Sequence, residues 1–224
     1  GIAHDGDSDR GVFVTEKGEV VRGDRTIALL AKTLLKKSNE GMIVTTVDSS
    51  KVLDEIVKKN GGEIVRTPVG DIQVAVKLKE LDGIMGGEAC GVFIFPSFHM
   101  APEPFLAACR ILETMAHTGK SFGELASEIP IYPLSKTKLQ VANEKKEPVM
   151  EELSTILPKE VDRVQDVITV DGIGLVLDDG WVLVRPSGTE PVIRITCEAT
   201  TDNRVHEILS SCKQIVEKTI SSLE

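Results

Sequence analysis

Between residues 42 and 115, short runs of β-branched and other apolar residues alternate with segments whose apolar positions recur at helical spacing. No other feature restricts the possible folds of the chain so strongly. Met42-Ile43-Val44-Thr45-Thr46-Val47 reads as a buried strand. Val52, Ile56 and Val57 mark a helix closed by Asn60-Gly61-Gly62. Glu63-Ile64-Val65-Arg66 then reads as a strand, Ile72 to Leu81 as a helix and Gly83-Ile84-Met85 as a strand. A strand from Val92 to Phe95 and a long helix centred on Leu106 to Met115 continue the series. Such alternation predicts a sheet with parallel neighbours and helices on its faces. A helix from Arg25 to Lys37, with Ile27, Leu30, Ala31, Leu34 and Leu35 at helical spacing, precedes it, and Asp24 is expected to cap it.

The two ends of the chain have a different texture. Gly11-Val12-Phe13-Val14 and Glu19-Val20-Val21-Arg22 read as short strands around a glycine-bearing turn. Ahead of them, Gly1-Ile2-Ala3-His4 leaves no room for a structural element before an acidic loop and predicts further chain upstream. Pro130-Ile131-Tyr132-Pro133 reads as a linker. Beyond it come a strand (Leu139-Gln140-Val141), a helix (Pro148 to Leu157), strands at 167–170, 174–177, 181–184 and 192–196, and a helix from Arg204 to Ile220. Asp171-Gly172 and Asp178-Asp179-Gly180 carry the Asp-Gly signature of tight hairpins, so an α+β domain is expected here. With 224 residues, two domains are the natural division.

Charge and cysteine usage narrow the class. The formal net charge of −9, scattered basic residues and an aromatic share of only 4% argue against a nucleic-acid partner. Cys90, Cys109, Cys197 and Cys212 form no C-x-x-C pair and accompany no secretory signal, so they are expected to be reduced thiols of a cytoplasmic protein. No apolar run approaches the roughly 18 residues that a membrane span needs.

Two segments carry phosphate chemistry. Arg185-Pro186-Ser187-Gly188-Thr189-Glu190-Pro191, with Arg194 shortly after, combines guanidinium forks, hydroxyl donors and a glycine that lets backbone amides approach an anion. The bland possibility is arginines paired with surface carboxylates beside an ordinary Ser-Gly turn. In the second segment Asp5, Asp7 and Asp9 alternate with Gly6 and Ser8, so three carboxylates can converge. They repel one another unless a cation neutralises them, and hard oxygen ligands suit magnesium. An EF-hand shares the spacing and places Glu16 at its twelfth position, but Arg10 stands where that loop needs glycine. A dehalogenase-type phosphatase would want its aspartates at the end of an apolar strand, where this chain has only Ile2-Ala3, and a solvated acidic turn would need no ligand at all. Glu88, in Gly86-Gly87-Glu88-Ala89-Cys90-Gly91, could accept bonds from two adjacent sugar hydroxyls, or the segment is a glycine-rich turn. Cys90 reads as a small buried thiol, since no His neighbours it. Gly70-Asp71 could offer helix amides to an anion, although Asp71 is also a natural N-cap, the reading that local residues favour. The four histidines lack metal-ligand spacing.

In order and spacing, Asp5-Gly6-Asp7-Ser8-Asp9-Arg10, Thr67-Pro68-Val69-Gly70-Asp71, Gly87-Glu88 and the Arg185 to Pro191 loop resemble the α-D-phosphohexomutase family, over essentially the whole chain. This family comprises phosphoglucomutases, phosphomannomutases and phosphoglucosamine mutases. The resemblance implies the C-terminal half of a four-domain enzyme. Residues 1–23 would be the end of domain 2 with the metal loop. Residues 24–133 would be domain 3, a mixed α/β sandwich that binds sugar, and residues 134–224 domain 4, a TATA-binding-protein-like α+β domain that binds phosphate. It further implies that Asp5, Asp7 and Asp9 hold Mg2+, that Arg10 lies beside the transferring phosphoryl group, and that Glu88, Cys90, Gly70 and Asp71 meet the sugar. Arg185, Ser187, Gly188, Thr189 and Arg194 would grip the phosphate not being transferred. The reaction would interconvert hexose 6-phosphate and hexose 1-phosphate through hexose 1,6-bisphosphate. The phosphorylated serine would lie in the missing N-terminal domains, since Ser97 and Ser121 lack its sequence context, and this chain alone would be inactive. A stand-alone phosphosugar-binding module and an independent magnesium phosphatase compete with the mutase reading, and a homo-oligomer is possible. The sugar loop departs from the common Gly-Glu-x-Ser-Gly-His pattern, with Cys90 for serine and Val92 for histidine. His99 to Pro104 likewise replaces a Gly-Arg-Asp opening.

Overall fold

The computed structural model describes residues 1–223. The chain begins with an antiparallel sheet of three short strands, β1 (Ile2–His4), β2 (Gly11–Val14) and β3 (Val20–Val21). The start of the chain therefore does hold an element, contrary to expectation. Pairing of Ile2 with Phe13, Ala3 with Val12 and His4 with Gly11 makes three residues sufficient, because β2 supplies the backbone partners. The His4 ring stacks on Phe105, with centroids 4.1 Å apart, which anchors the strand that leads into the acidic loop.

The expected alternation follows as α1 (Gly23–Ser38), β4 (Met42–Thr46), α2 (Val52–Lys59), β5 (Glu63–Thr67), α3 (Asp71–Glu80), β6 (Met85–Glu88), β7 (Val92–Phe95), β8 (His99–Pro102), α4 (Pro104–Thr118) and α5 (Phe122–Ser127). The sheet order is β5-β4-β6-β7-β8. Strand β4 runs parallel to β5 and β6, while β7 and β8 add antiparallel strands. On one face Val74 and Leu78 of α3 pack with Val44, Val92 and Ile94. Phe13 meets both Phe93 and Phe122 edge-on, at centroid distances of 5.7 and 6.3 Å.

Two local expectations fail here for identifiable reasons. Asp24 does not cap α1, because Arg22 occupies that position. Asp24 is instead fully buried in the first turn, accepting from the amides of Arg25 (2.8 Å) and Ser50 (3.3 Å) and from the Arg22 guanidinium. The strand expected at 83–85 starts at Met85 and runs to Glu88, because β4 and β7 pair with Gly86 and Gly87 from both sides. The His99 to Pro102 segment, to which the sequence pattern assigns no element, is an edge strand, a place where a proline lacking an N–H is tolerated.

A second compact unit starts at Tyr132, the first ending at Ile131. It comprises β9 (Leu134–Gln140), α6 (Lys146–Glu160), β10 (Val164–Ile168), β11 (Ile173–Leu177), β12 (Gly180–Pro186), β13 (Val192–Ala199) and α7 (Asp202–Ser222). Its sheet is antiparallel throughout, in the order β10-β11-β12-β13-β9. Val149, Leu153 and Leu157 of α6 and Val205, Ile208 and Cys212 of α7 share a core with Val182, Val184, Ile193, Ile195 and Cys197, so the helices cover one face of the sheet. The β11–β12 turn is not an Asp-Gly turn. Leu177 pairs directly with Gly180, which leaves Asp178-Asp179 as the turn, and neither aspartate has a positive φ. Gly180 is needed inside the strand, where a Cβ would lie 2.2 Å from the Glu198 carbonyl oxygen. Among the described residues no helix is long and apolar enough to cross a membrane.

Helices α5 and α1 are joined by charge. Glu128 accepts from Lys120 (2.5 Å) and from Lys32 (2.7 Å), and these bonds lower its pKa from 4.5 to about 2. A depressed carboxylate adds stability above its unfolded pKa and loses it as pH falls through the folded value. Glu128→Gln should therefore flatten the acid limb of stability between about pH 4.5 and pH 2. Because both lysines are partly solvated, it should cost under about 1 kcal/mol at neutral pH. Urea midpoints measured across this range test it, and a wild-type slope in the variant would contradict the assignment.

Candidate functional site

The acidic loop spans the gap between β1 and β2, so the hairpin holds both of its ends. The Asp5 amide donates to the Arg10 carbonyl (3.3 Å), the Ser8 amide donates to the Asp5 carbonyl (3.2 Å), and Ser8 takes a left-handed φ of 62°. The alternating aspartates converge, and one carboxylate oxygen from each of Asp5, Asp7 and Asp9 lies within 4.8 Å of the others. Arg10 lies across them. Its Nε donates to Asp5 (2.5 Å) and sits 3.4 Å from Asp9, and its amide also donates to Asp5 (3.2 Å). Desolvation pushes the Asp5 carboxyl up, but the Arg10 amide and guanidinium outweigh it and hold the group below its usual range. Asp9 is raised, first by burial and then by Asp7 and Asp5, and its Oδ1 is buried without a hydrogen-bond partner among the described residues. Three hard oxygens, among them an Asp9 Oδ1 that meets Arg10 Nε at 3.4 Å without a hydrogen bond, fit a divalent cation of the magnesium type.

This loop is tied to the turn between β6 and β7. The Gly11 amide donates to the Gly91 carbonyl (2.9 Å), while Gly91, at φ 106°, would place a Cβ 2.4 Å from the Gly11 oxygen. Glu88 ends β6 and is buried; Cys90, in the turn, is exposed rather than buried as expected. Desolvation, then the Glu88 carboxylate, push the Cys90 thiol above its ordinary value, which disfavours the nucleophilic thiolate. Gly70 follows β5 and is itself the N-cap of α3, at φ 138°. Asp71 is the first helical residue and makes no capping bond, contrary to the expectation that it caps the helix. Because β4, β5 and β6 are parallel, the loops carrying Gly70-Asp71 and Cys90 leave the sheet at its carboxyl end, where open α/β sheets bind ligands.

The loop after β4, which no sequence motif singles out, leaves the sheet at that same end. The Thr45 hydroxyl donates to the Gly87 carbonyl (2.9 Å) and shares a bond with Ser49 (2.8 Å), and Thr46 donates to Asp48 (2.7 Å). Arg66 donates to the Thr46, Ser49 and Ser50 carbonyls (3.2, 2.8 and 3.1 Å). The signal that could have found this loop is a run of hydroxyl residues directly after a buried strand.

In the second unit the strand before the Arg185 to Pro191 segment runs further than expected, taking in Arg185 and Pro186. Arg185 and Arg194 are strand residues, directly opposite one another on β12 and β13, and only Ser187 to Pro191 form the connection. Lys138 of β9 stands opposite Arg194, so three cations form one row across three strands. The row faces away from the core, because Val184 and Ile195, the adjacent pair, point into it. Glu190 accepts from Lys138 (3.0 Å) and Arg194 (2.6 Å), which hold its carboxyl below the usual range, and Asp171 lies 3.4 Å from Arg185. Lys138, Glu190 and Asp171 escape a sequence motif because sheet register, not sequence proximity, brings them together. Ser187 is buried. Its Oγ accepts from the Glu190 amide (3.2 Å) and its own amide donates to Val192 (2.9 Å). Gly188 and Thr189 are exposed, and among the described residues their amides have no partner. Two outward amides beside a row of cations make an anion-binding arrangement.

An α/β unit followed by an antiparallel α+β unit is the architecture of a known class. The family profile described as phosphoglucomutase/phosphomannomutase, alpha/beta/alpha domain III, matches residues 22–132, and the profile for the C-terminal domain matches residues 137–213. The chain belongs to the phosphoglucomutase/phosphomannomutase family. It is 43% identical over its full length to a Methanopyrus kandleri protein named "Probable phosphoglucosamine mutase", of which it covers 49%. It is 40% identical over 98% of its length to a Thermococcus kodakarensis phosphoglucomutase/phosphomannomutase, of which it covers 47%. A crystal structure of a family protein from Burkholderia thailandensis superposes with a TM-score of 0.86 at 26% identity, over 98% of this chain and 46% of that one. The chain thus spans about half the length of the curated relatives it matches.

Gly91→Ala should force the acidic loop away from the β6–β7 turn and cost about 2 kcal/mol. Gly188→Ala, where a Cβ meets nothing within 4 Å, should change stability by less than about 0.5 kcal/mol. Denaturant melts of the two variants make the comparison, and equal losses would contradict the close approach.

Proposed function

We propose that this chain is the C-terminal portion of a magnesium-dependent phosphohexomutase that interconverts hexose 6-phosphate and hexose 1-phosphate. The observation that carries the reading is the row Arg185–Arg194–Lys138 beside the unpartnered amides of Gly188 and Thr189, in a chain that also holds the converging Asp5, Asp7 and Asp9. The names of the relatives support a hexose phosphate as the substrate.

In this reading Asp5, Asp7 and Asp9 hold the cation. When bound, magnesium neutralises charge on the phosphoryl oxygens during transfer. Arg10, already mounted on Asp5, adds a second positive group beside that phosphoryl. Glu88 accepts hydrogen bonds from sugar hydroxyls, and Cys90 and the Gly70-Asp71 loop border the same end of the sheet. Arg185, Arg194, Ser187, Gly188 and Thr189 hold the phosphate that stays on the sugar. The transferred phosphoryl group comes from a serine in the part of the protein outside this chain and passes to the free sugar hydroxyl. The resulting hexose 1,6-bisphosphate turns over and returns its other phosphate to the serine. A clamp that reads phosphate without reading the sugar carbon that bears it suits both orientations.

The full-length protein should convert glucosamine, glucose or mannose 6-phosphate to the 1-phosphate with Mg2+, glucosamine being the first to assay. Residues 1–224 alone should give no turnover, and measurable turnover by them would defeat the reading. Asp7→Ala in the full-length protein should lower kcat about 100-fold or more. Arg185→Ala should weaken glucose 1-phosphate binding about ten- to a hundredfold by titration calorimetry. Binding indifferent to this substitution would remove the clamp from the site, whereas tight binding without turnover in the full-length protein would favour a phosphosugar-binding module.

A further inference from the structure

We propose that Lys146 is the positioning residue of the phosphate clamp, holding the Ser187 to Glu190 turn so that its free amides face the anion. The proposal rests on the reading of Arg185 to Arg194 as a phosphate site and assigns a role to a residue far from that motif. Lys146 Nζ donates to the carbonyl of Ser187 (2.6 Å) and to that of Glu190 (2.5 Å), so one ammonium bridges both ends of the turn.

The peptide geometry turns this contact into a function. Among the described residues no peptide bond is cis, and in a trans peptide the C=O and N–H point in opposite directions. The Ser187 carbonyl and the Gly188 amide belong to one peptide plane. Drawing the carbonyl onto Lys146 therefore aims the Gly188 N–H the other way, out of the turn. Flipping that plane would present a carbonyl oxygen to the phosphate, replacing attraction by repulsion. The other amides of the segment are committed: Ser187 N to Val192, Glu190 N to Ser187 Oγ and Val192 N to Glu190. Only the amides of Gly188 and Thr189 remain for a ligand among the described residues, and the first is the one whose direction Lys146 sets.

The helix that carries Lys146 is fastened into the core. Lys146 is the first residue of α6, and Val149, Leu153 and Leu157 fasten that helix into the core. Its side chain contributes its donors to carbonyls rather than to a carboxylate, so it does not compete with the arginine row for a counter-ion. Lys146 acts on the ligand through the turn and is a positioning residue.

The test uses the full-length protein, with glucose 1-phosphate as the probe in titration calorimetry and thermal melting as the check on folding. Lys146→Met should melt cooperatively and raise Kd about tenfold or more, and Lys146→Arg, which keeps charge and donors, should recover affinity to within about threefold of wild type. With 15N-glycine labelling, the Gly188 amide should shift on adding inorganic phosphate in the wild type and in Lys146→Arg but not in Lys146→Met. Wild-type affinity in Lys146→Met alongside weakened Arg185→Ala would overturn the role of Lys146 and leave the clamp standing. Indifference of both variants would overturn the clamp reading and this inference with it. An affinity for Lys146→Arg as poor as that for Lys146→Met would also overturn the assignment. If Lys146→Met does not melt cooperatively, Lys146→Gln, too short to bridge both carbonyls, is measured in its place, and wild-type affinity there refutes the proposal.

Discussion

Hydrogen-bonded register between neighbouring strands is the constraint from which the positions of the charged groups follow. Once Val184 and Ile195 pair and point into the core of the second unit, the next pair, Arg185 and Arg194, must face the other way, with Lys138 beside them. A slip of one residue would bury two guanidinium groups and expose the apolar pair, so the core and the cation row enforce the same register. In the first unit, the β1–β2 hairpin does similar work for the acidic loop. The bond from Gly11 to Gly91 then fixes that loop against the turn after Glu88.

Each charged cluster is partly offset by residues of its own. Arg10 leans on Asp5, Glu190 bridges Lys138 and Arg194, and Asp171 approaches Arg185. These pairs are partly solvated and individually weak. Glu190 serves twice, since its amide closes the turn on Ser187 while its carboxylate occupies the arginine row. Lys146 lies outside these pairs and bonds the turn through the backbone carbonyls of Ser187 and Glu190.

The legible part of the chain was the part dictated by short-range chemistry. Period and β-branching in the 42–95 region are local properties, so the α/β unit and the α+β unit that follows could be read directly. So could the spacing of Asp5, Asp7 and Asp9, because three residues in one short loop converge without help from the rest of the fold. What failed were local rules overridden by tertiary contacts. Asp24 has the residue type of a helix cap, but the burial of its carboxylate against the amide of Ser50 gives it a different task. Gly86 and Gly87 look like a turn and become a strand because two neighbours pair with them. Cys90 sits in the connection, where a thiol is exposed.

The residue types of the Arg185 to Pro191 segment, and the membership of the family they signal, were determined by the sequence alone, because an Arg-Pro-Ser-Gly-Thr-Glu-Pro segment carries its donors within itself. Tertiary structure decided how those donors are presented. Arg185 and Arg194 became neighbours through strand pairing, Lys138 joined them from a distant strand, and Lys146 reached the turn across 41 positions of chain. Pairing partners and peptide-plane directions depend on which segments the fold brings within hydrogen-bonding distance, and no local pattern of residues encodes that distance.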